Sequence, residues 1–158
     1  VVDRSCYTTN MEKFNFHQII LTGFKTFGSH SKNPTEELIS SLTEQEMKQR
    51  RIVKKFALDV TCTEVDCFAG QLKQEFDELK PGKKVLIVHM GVGPNKVYFL
   101  EECAYNNKDF SIPDNSGYQP CKEQICKATE LDCPLKTGLN LKQLADTLKV
   151  QICPIAGT

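Results

Sequence analysis

Hydrolysis of an amide by a cysteine needs a thiolate, an imidazole to take its proton and a third group to orient that imidazole. The chain offers three histidines, His17, His30 and His89, and eight cysteines, Cys6, Cys62, Cys67, Cys103, Cys121, Cys126, Cys133 and Cys153. His17 precedes an apolar run and His30 lies in the loop after it. His89 closes the run Val85-Leu86-Ile87-Val88-His89, which feeds the glycine turn Met90-Gly91-Val92-Gly93. With no charged partner evident, a lone histidine there reads as structural. Cys103 and Cys153 lie closest to plausible site elements, but both sit in apolar extended runs, so spacing alone assembles no complete triad.

The remaining cysteines suggest no other chemistry. Free cysteine behaves as a small buried hydrophobe, and that reading is favoured over a disulfide framework in so core-rich a chain. Cys121, Cys126 and Cys133 lack the short paired spacing and the nearby histidine of a zinc site, so no metal is expected. Gly91-Val92-Gly93 lacks the third glycine and following helix of a dinucleotide fingerprint, and no phosphate-loop GK[ST] occurs, so no cofactor is expected. Phe24 and Phe27 either line a small apolar pocket or pack as ordinary core; their positions leave both readings open.

The elements that would position these groups follow a βαβ rhythm. Gln18-Ile19-Ile20-Leu21-Thr22 is a short apolar run ending at Gly23, a buried strand. Asn33, Pro34 and the acids Glu36 and Glu37 open a helix, expected to run to about Gln49 with Leu38, Ile39, Leu42 and Met47 on its apolar side. Residues 51–60 read as a strand near an edge, and Thr63 is expected to cap a helix reaching about Leu79. Val65, Phe68, Ala69, Leu72, Phe76 and Leu79 give that helix its buried face. Residues 85–89 form the clearest buried strand. Residues 97–103 are extended, 112–120 a turn-rich loop, 139–150 a helix and 150–154 a last strand leading to Ala156-Gly157-Thr158. The fold class is therefore α/β, a single three-layer domain with a mostly parallel sheet and helices on both faces. In such sheets ligands gather at the carboxyl ends of strands, where residues 22–28, 91–93 and 156–158 fall.

Size and composition bound the partners. The 158 residues suffice for one domain with a real core, which buries roughly two-thirds of its unfolded surface. Twenty basic and twenty acidic side chains cancel, which removes the electrostatic case for nucleic acid or an anionic membrane. No apolar run approaches the ~18 residues of a membrane span. Residues 1–11 contain no apolar signal-peptide core, so an intracellular, cytoplasmic setting is expected. The chain opens on Val1 instead of methionine, which is read as processing or partial coverage.

Several segments together resemble the pyroglutamyl-peptidase I family, cysteine peptidases that remove N-terminal pyroglutamate. Residues 19–28 followed by Asn33-Pro34 are similar to the family's opening strand and its TGFxPFG…NP loop, with Thr26 in place of the proline. Residues 85–92 resemble its central strand and turn, and Leu100-Glu101-Glu102-Cys103-Ala104-Tyr105-Asn106 its glutamate segment. Ile112-Pro113-Asp114-Asn115-Ser116-Gly117-Tyr118-Gln119-Pro120 matches the IPDNxGxQP loop closely. Residues 156–158 match the AGT or AGR ahead of the Tyr-x-Cys nucleophile segment. The turn after His89 departs, with Pro94-Asn95 where bacterial members write GxAxGR.

The resemblance implies that Phe24 and Phe27 flank the flat pyroglutamyl ring, that the turn at Met90 and Gly91 holds its lactam through backbone groups, and that Glu101 orients the catalytic histidine. It also implies that the nucleophilic cysteine and the histidine lie beyond Thr158. Residues 1–158 alone are then expected to be inactive, with residues 1–16 an N-terminal extension and 17–158 a domain without its C-terminal elements. The expected partner is a pyroglutamyl peptide for a complete enzyme, or else a protein covering the open sheet of a non-catalytic subunit.

Overall fold

A computed structural model describes residues 16–77, 82–93 and 97–153. The chain divides into two compact units: the described residues up to Val92 together with Asp114–Ser116, and the described residues from Gly93 onward apart from those three. The protein is α/β.

The first unit is built on three parallel strands in the order β2-β1-β3: β1 (Gln18–Phe24), β2 (Ile52–Leu58) and β3 (Val85–His89). Against β3 the register runs from Gln18 beside Val85 to Thr22 beside His89. Against β2 it runs from Ile20 beside Lys54 to Phe24 beside Leu58, after an irregularity between Ile19 and Ile20. Side chains alternate along a strand, so Ile20, Thr22 and Phe24 share one face of β1 while Ile19, Leu21 and Gly23 share the other. The first face packs on helix α3 (Cys62–Asp77), where Ile20, Leu58, Phe68 and Leu72 form a buried cluster flanked by Phe24, Phe56, Phe76, Val85 and Ile87. The rings of Phe56 and Phe68 meet edge to face at 5.0 Å. The second face receives helix α1 (Pro34–Ser41), whose Ile39 is buried. Helices thus cover both faces of this sheet.

Several expected boundaries move. The helix expected to reach Gln49 is two helices, α1 and α2 (Glu44–Gln49), because Thr43 and Glu46 form a reciprocal capping box that starts a new helix. Lys55 of β2 closes α1 by donating to the carbonyls of Ile39 and Leu42, each at 2.8 Å. A cation at a helix C-terminus satisfies orphan carbonyls and opposes the dipole. Leu38, expected on the apolar side, is 50% exposed. Thr61, not Thr63, takes the capping role of α3, its hydroxyl accepting from Glu64 N. On α3 only Phe68, Leu72 and the half-buried Phe76 face the sheet, while Val65 and Ala69 are exposed. Leu79 lies outside the described residues.

The second unit holds β4 (Phe99–Glu101) parallel to β7 (Gln151–Cys153), and β5 (Cys103–Tyr105) antiparallel to β6 (Pro134–Lys136). Helix α4 (Leu141–Leu148) starts on Asn140, whose side chain accepts from Gln143 N, and buries Leu141 and Ala145. Buried Asn106 organises the turn-rich stretch before β6: its Oδ1 accepts from Cys126 N at 2.6 Å, and its Nδ2 lies 2.8 Å from Cys126 O and 3.0 Å from Glu130 O.

The expectation that the cysteines are buried hydrophobes fails at Cys67, Cys121, Cys126 and Cys133, which are exposed; Cys62 and Cys103 are half-buried. Cys67 precedes Phe68 on α3, so it points about 100° away from the buried stripe, and the other three exposed thiols lie in an irregular stretch where no residue from 121 to 133 is buried. Cys6 lies outside the described residues.

Candidate active site

The three parallel strands end together, so the segments following Phe24, Leu58 and His89 gather at one end of the sheet. The end of β1 and the segment after it, residues 22–28, carry Phe24 and Phe27 and are fixed from three directions.

The first tie comes from α1. Asn33 is the N-cap of that helix, its Oδ1 accepting from Thr35 N at 2.9 Å, while its Nδ2 donates to Lys25 O at 2.9 Å. The Thr35 hydroxyl accepts from Phe24 N at 2.9 Å and donates to Asn33 Oδ1 at 2.8 Å. Gly23 permits this approach: a Cβ there would lie 2.8 Å from Thr35 Cβ and from Ile39 Cδ1. The second tie is to β2, with Lys25 N donating to Leu58 O at 2.8 Å and the Lys25 ammonium 3.0 Å from Asp59. The hydrogen bond and charge of Asp59 hold Lys25 above the ordinary lysine range.

The third tie comes from far along the chain. Asp114 is buried; its Oδ2 accepts from Cys62 N, the first residue of α3, at 2.9 Å, and its Oδ1 accepts from Ser116 N at 2.9 Å. A carboxylate at a helix N-terminus meets unsatisfied N–H groups and the positive end of the dipole. Asn115 then bonds the segments after β1 and β2: its N–H donates to Val60 O at 2.9 Å, its Nδ2 donates to Thr26 O at 2.9 Å, and its Oδ1 accepts from Gly28 N at 3.2 Å. Gly28 has φ +57°, a conformation that glycine adopts without Cβ strain.

On the far side of β1, Met90 N donates to Thr22 O at 2.9 Å, so the ladder continues one residue past β3 and delivers Met90 and Gly91 to the same end. Beneath them Thr22, only 1% exposed, places its hydroxyl 2.6 Å from His89 Nδ1. The His89 ring stands edge to face against Phe68 at 6.4 Å, and burial pushes its pKa below the ordinary 6.5. His89 therefore has a hydrogen-bond partner in Thr22 and a ring partner in Phe68. His17 Nδ1 accepts from Lys84 N at 3.2 Å.

The structure thus brings Phe24, Phe27, Met90 and Gly91 to the strand ends of the first unit. Phe24 is half-buried and packs against the Ile20–Phe68 cluster, so the core role left open for it is real. Phe27 is half-buried in a turn closed by His30 N donating to Phe27 O at 3.2 Å. Glu101 belongs to the second unit, where it is exposed at the end of β4 and pairs with Cys153 of β7. Residues 94–96 and 156–158 lie outside the described residues. Among the described residues no group of three or more His, Cys, Asp or Glu is placed to hold a metal ion, and no helix is long and apolar enough to cross a membrane. Sequence reasoning gave Asp114 and Asn115 no role. The signal was the run Pro113-Asp114-Asn115-Ser116-Gly117, dense in side chains that bond main chain.

A parallel sheet whose carboxyl-end loops are held by side chains from separate parts of the chain defines an α/β protein with its candidate site at the strand ends. A family model described as pyroglutamyl peptidase matches residues 17–156. The pyrrolidone-carboxylate peptidase of Thermococcus litoralis is 32% identical over 135 residues, 84% of this chain and 56% of that protein. A Bacillus cereus protein of the same name is 34% identical over 144 residues, 89% of this chain and 64% of its own length. The crystal structure of pyrrolidone carboxyl peptidase from Thermus thermophilus superposes with a TM-score of 0.70 at 26% identity, covering 89% of this chain and 70% of that one. The chain belongs to the pyroglutamyl peptidase family. It spans 56% and 64% of the lengths of the two curated relatives.

Proposed function

We propose that residues 17–158 form a pyroglutamyl-peptidase-like domain that recognises the N-terminal pyroglutamyl group of a peptide. Phe24 and Phe27 flank the flat ring, backbone groups of Met90 and Gly91 hold the lactam, and Glu101 orients the histidine that activates a thiol and favours its charged form. The family match over residues 17–156 carries this reading. The fixed loop supports it, because a ring-binding segment held by Asn33, Thr35 and Asn115 is organised before substrate arrives. In this reading the nucleophilic cysteine and the histidine are not among residues 1–158, so these residues alone bind without hydrolysing. Loss of a nucleophile or base removes about six powers of ten in rate.

The test pairs two proteins, residues 1–158 and the longest natural chain that contains them. Each is given an L-pyroglutamyl anilide, with release of the amine followed by absorbance and binding of L-pyroglutamate followed by NMR titration. The expected result is binding by both and amine release by the longer chain alone. Turnover by residues 1–158, or no binding by either protein, would overturn the reading. A second reading, a non-catalytic structural or binding subunit, is supported by the exposed Ile112, Ile125 and Leu135 of the second unit. Binding without turnover by the longest natural chain would establish it.

A further inference from the structure

We infer that Asn115 is a positioning residue for Phe27, holding the main chain on both sides of that ring in the geometry that receives a pyroglutamyl group. The inference rests on the reading of residues 22–28 as the pyroglutamyl loop and adds a residue to it. A primary amide places N–H donors and a carbonyl acceptor side by side in one plane. Asn115 Nδ2 donates to Thr26 O at 2.9 Å and its Oδ1 accepts from Gly28 N at 3.2 Å, bonds to the two peptide groups that straddle Phe27. The clamp is itself fixed. Its backbone N–H bonds Val60 O, and the preceding Asp114 is seated on the N-terminus of α3 through Cys62 N. One residue thus ties the segment after β1, through its side chain, to that after β2, through its backbone N–H, and sets where Phe27 stands.

Exposure separates this role from a merely stabilising one. Asn115 and Gly28 are exposed. Without the amide, water would satisfy Thr26 O and Gly28 N, so little net stability is lost. What is lost is order: the turn around Phe27 samples more conformations, and a ligand must then select the right one.

The test uses residues 1–158 with Asn115→Ala. The urea unfolding midpoint is expected to stay near wild type, while exchange of the Gly28 amide quickens by about tenfold, the factor matching one lost hydrogen bond. The dissociation constant for L-pyroglutamate is expected to rise about five- to tenfold on the same footing. In the longest natural chain, KM for the pyroglutamyl anilide should rise by a similar factor with kcat little changed. Asn115→Asp provides a second variant, since its carboxylate still accepts from Gly28 N but cannot donate to Thr26 O; it too should bind more weakly. Unchanged Gly28 exchange and unchanged affinity in Asn115→Ala would overturn the inference. A wild-type chain that binds no pyroglutamate overturns the pyroglutamyl reading and the ligand assigned here, and Gly28 exchange then shows whether the clamp itself holds.

Discussion

A methyl group added at Gly23 would lie 2.8 Å from Thr35 Cβ and Thr35 Oγ1. Thr35 cannot yield easily, because its hydroxyl is bonded to Phe24 N and Asn33 Oδ1. The helix must therefore move off the strand. Gly23→Ala should destabilise the protein by about 1–3 kcal/mol, the usual range for overpacking, as a lower urea midpoint. A second residue-level prediction concerns His89. Burial lowers its folded pKa below 6.5, so the unfolded chain binds that proton more tightly than the folded one. Its contribution to stability is then full above pH ~6.5 and is lost as pH falls from there through the folded value. His89→Gln keeps a partner for Thr22 but removes the titration. Urea midpoints at pH 7.5 and 5.5 should therefore differ less in the variant than in wild type; an equal difference would place the pH sensitivity elsewhere.

At the scale of elements, the two helix starts differ in what their caps also hold. Thr43 serves only its own helix: its hydroxyl accepts from Glu46 N and its N–H donates to the Glu46 carboxylate, with Thr43 exposed and Glu46 half-buried. Asn33 is buried and holds Lys25 O as well as Thr35 N. Thr43→Ala should cost about 1 kcal/mol, the ordinary loss of a cap, and Asn33→Ala about 2–3 kcal/mol because a loop bond goes with it. Denaturant titration of the two variants side by side reads the difference; equal costs would mean the tie to Lys25 adds nothing. The same elements show what a sequence discloses. β1, β3 and the start of α1 were readable because apolar runs and an Asn-Pro-Thr-Glu opening are local signals. The break at Thr43 was written as Thr-x-x-Glu but masked by helix-forming residues on both sides. The cap of α3 was expected two residues late for a different reason, since Thr61 and Thr63 are equally good candidates by type.

At the scale of the molecule, the part hardest to read was Asp114–Ser116, which ties together the segments at the strand ends. Residues 112–120 were legible as a loop, and their wording carried the family resemblance. Their bonds to Thr26 and Gly28 span 89 and 87 residues of sequence, a separation that leaves no periodic trace. Asp114–Ser116 joins the first compact unit although the chain on either side belongs to the second. The consequence is a specific pattern of stability. Asp114 is buried, and it accepts from Cys62 N and from Ser116 N and Oγ, all within the first unit. Asp114→Ala leaves those donors without the carboxylate and should cost about 2–3 kcal/mol. Because stability is distributed in cooperative units, the loss should fall on the amides of β1, β2 and β3 and spare those of β4 and β7. Hydrogen exchange resolved by residue measures this directly. Equal loss of protection in both sets of strands would mean the units unfold as one, and Asp114 would then be a support of the whole fold instead of the end of the sheet where Phe24, Phe27 and Met90 stand.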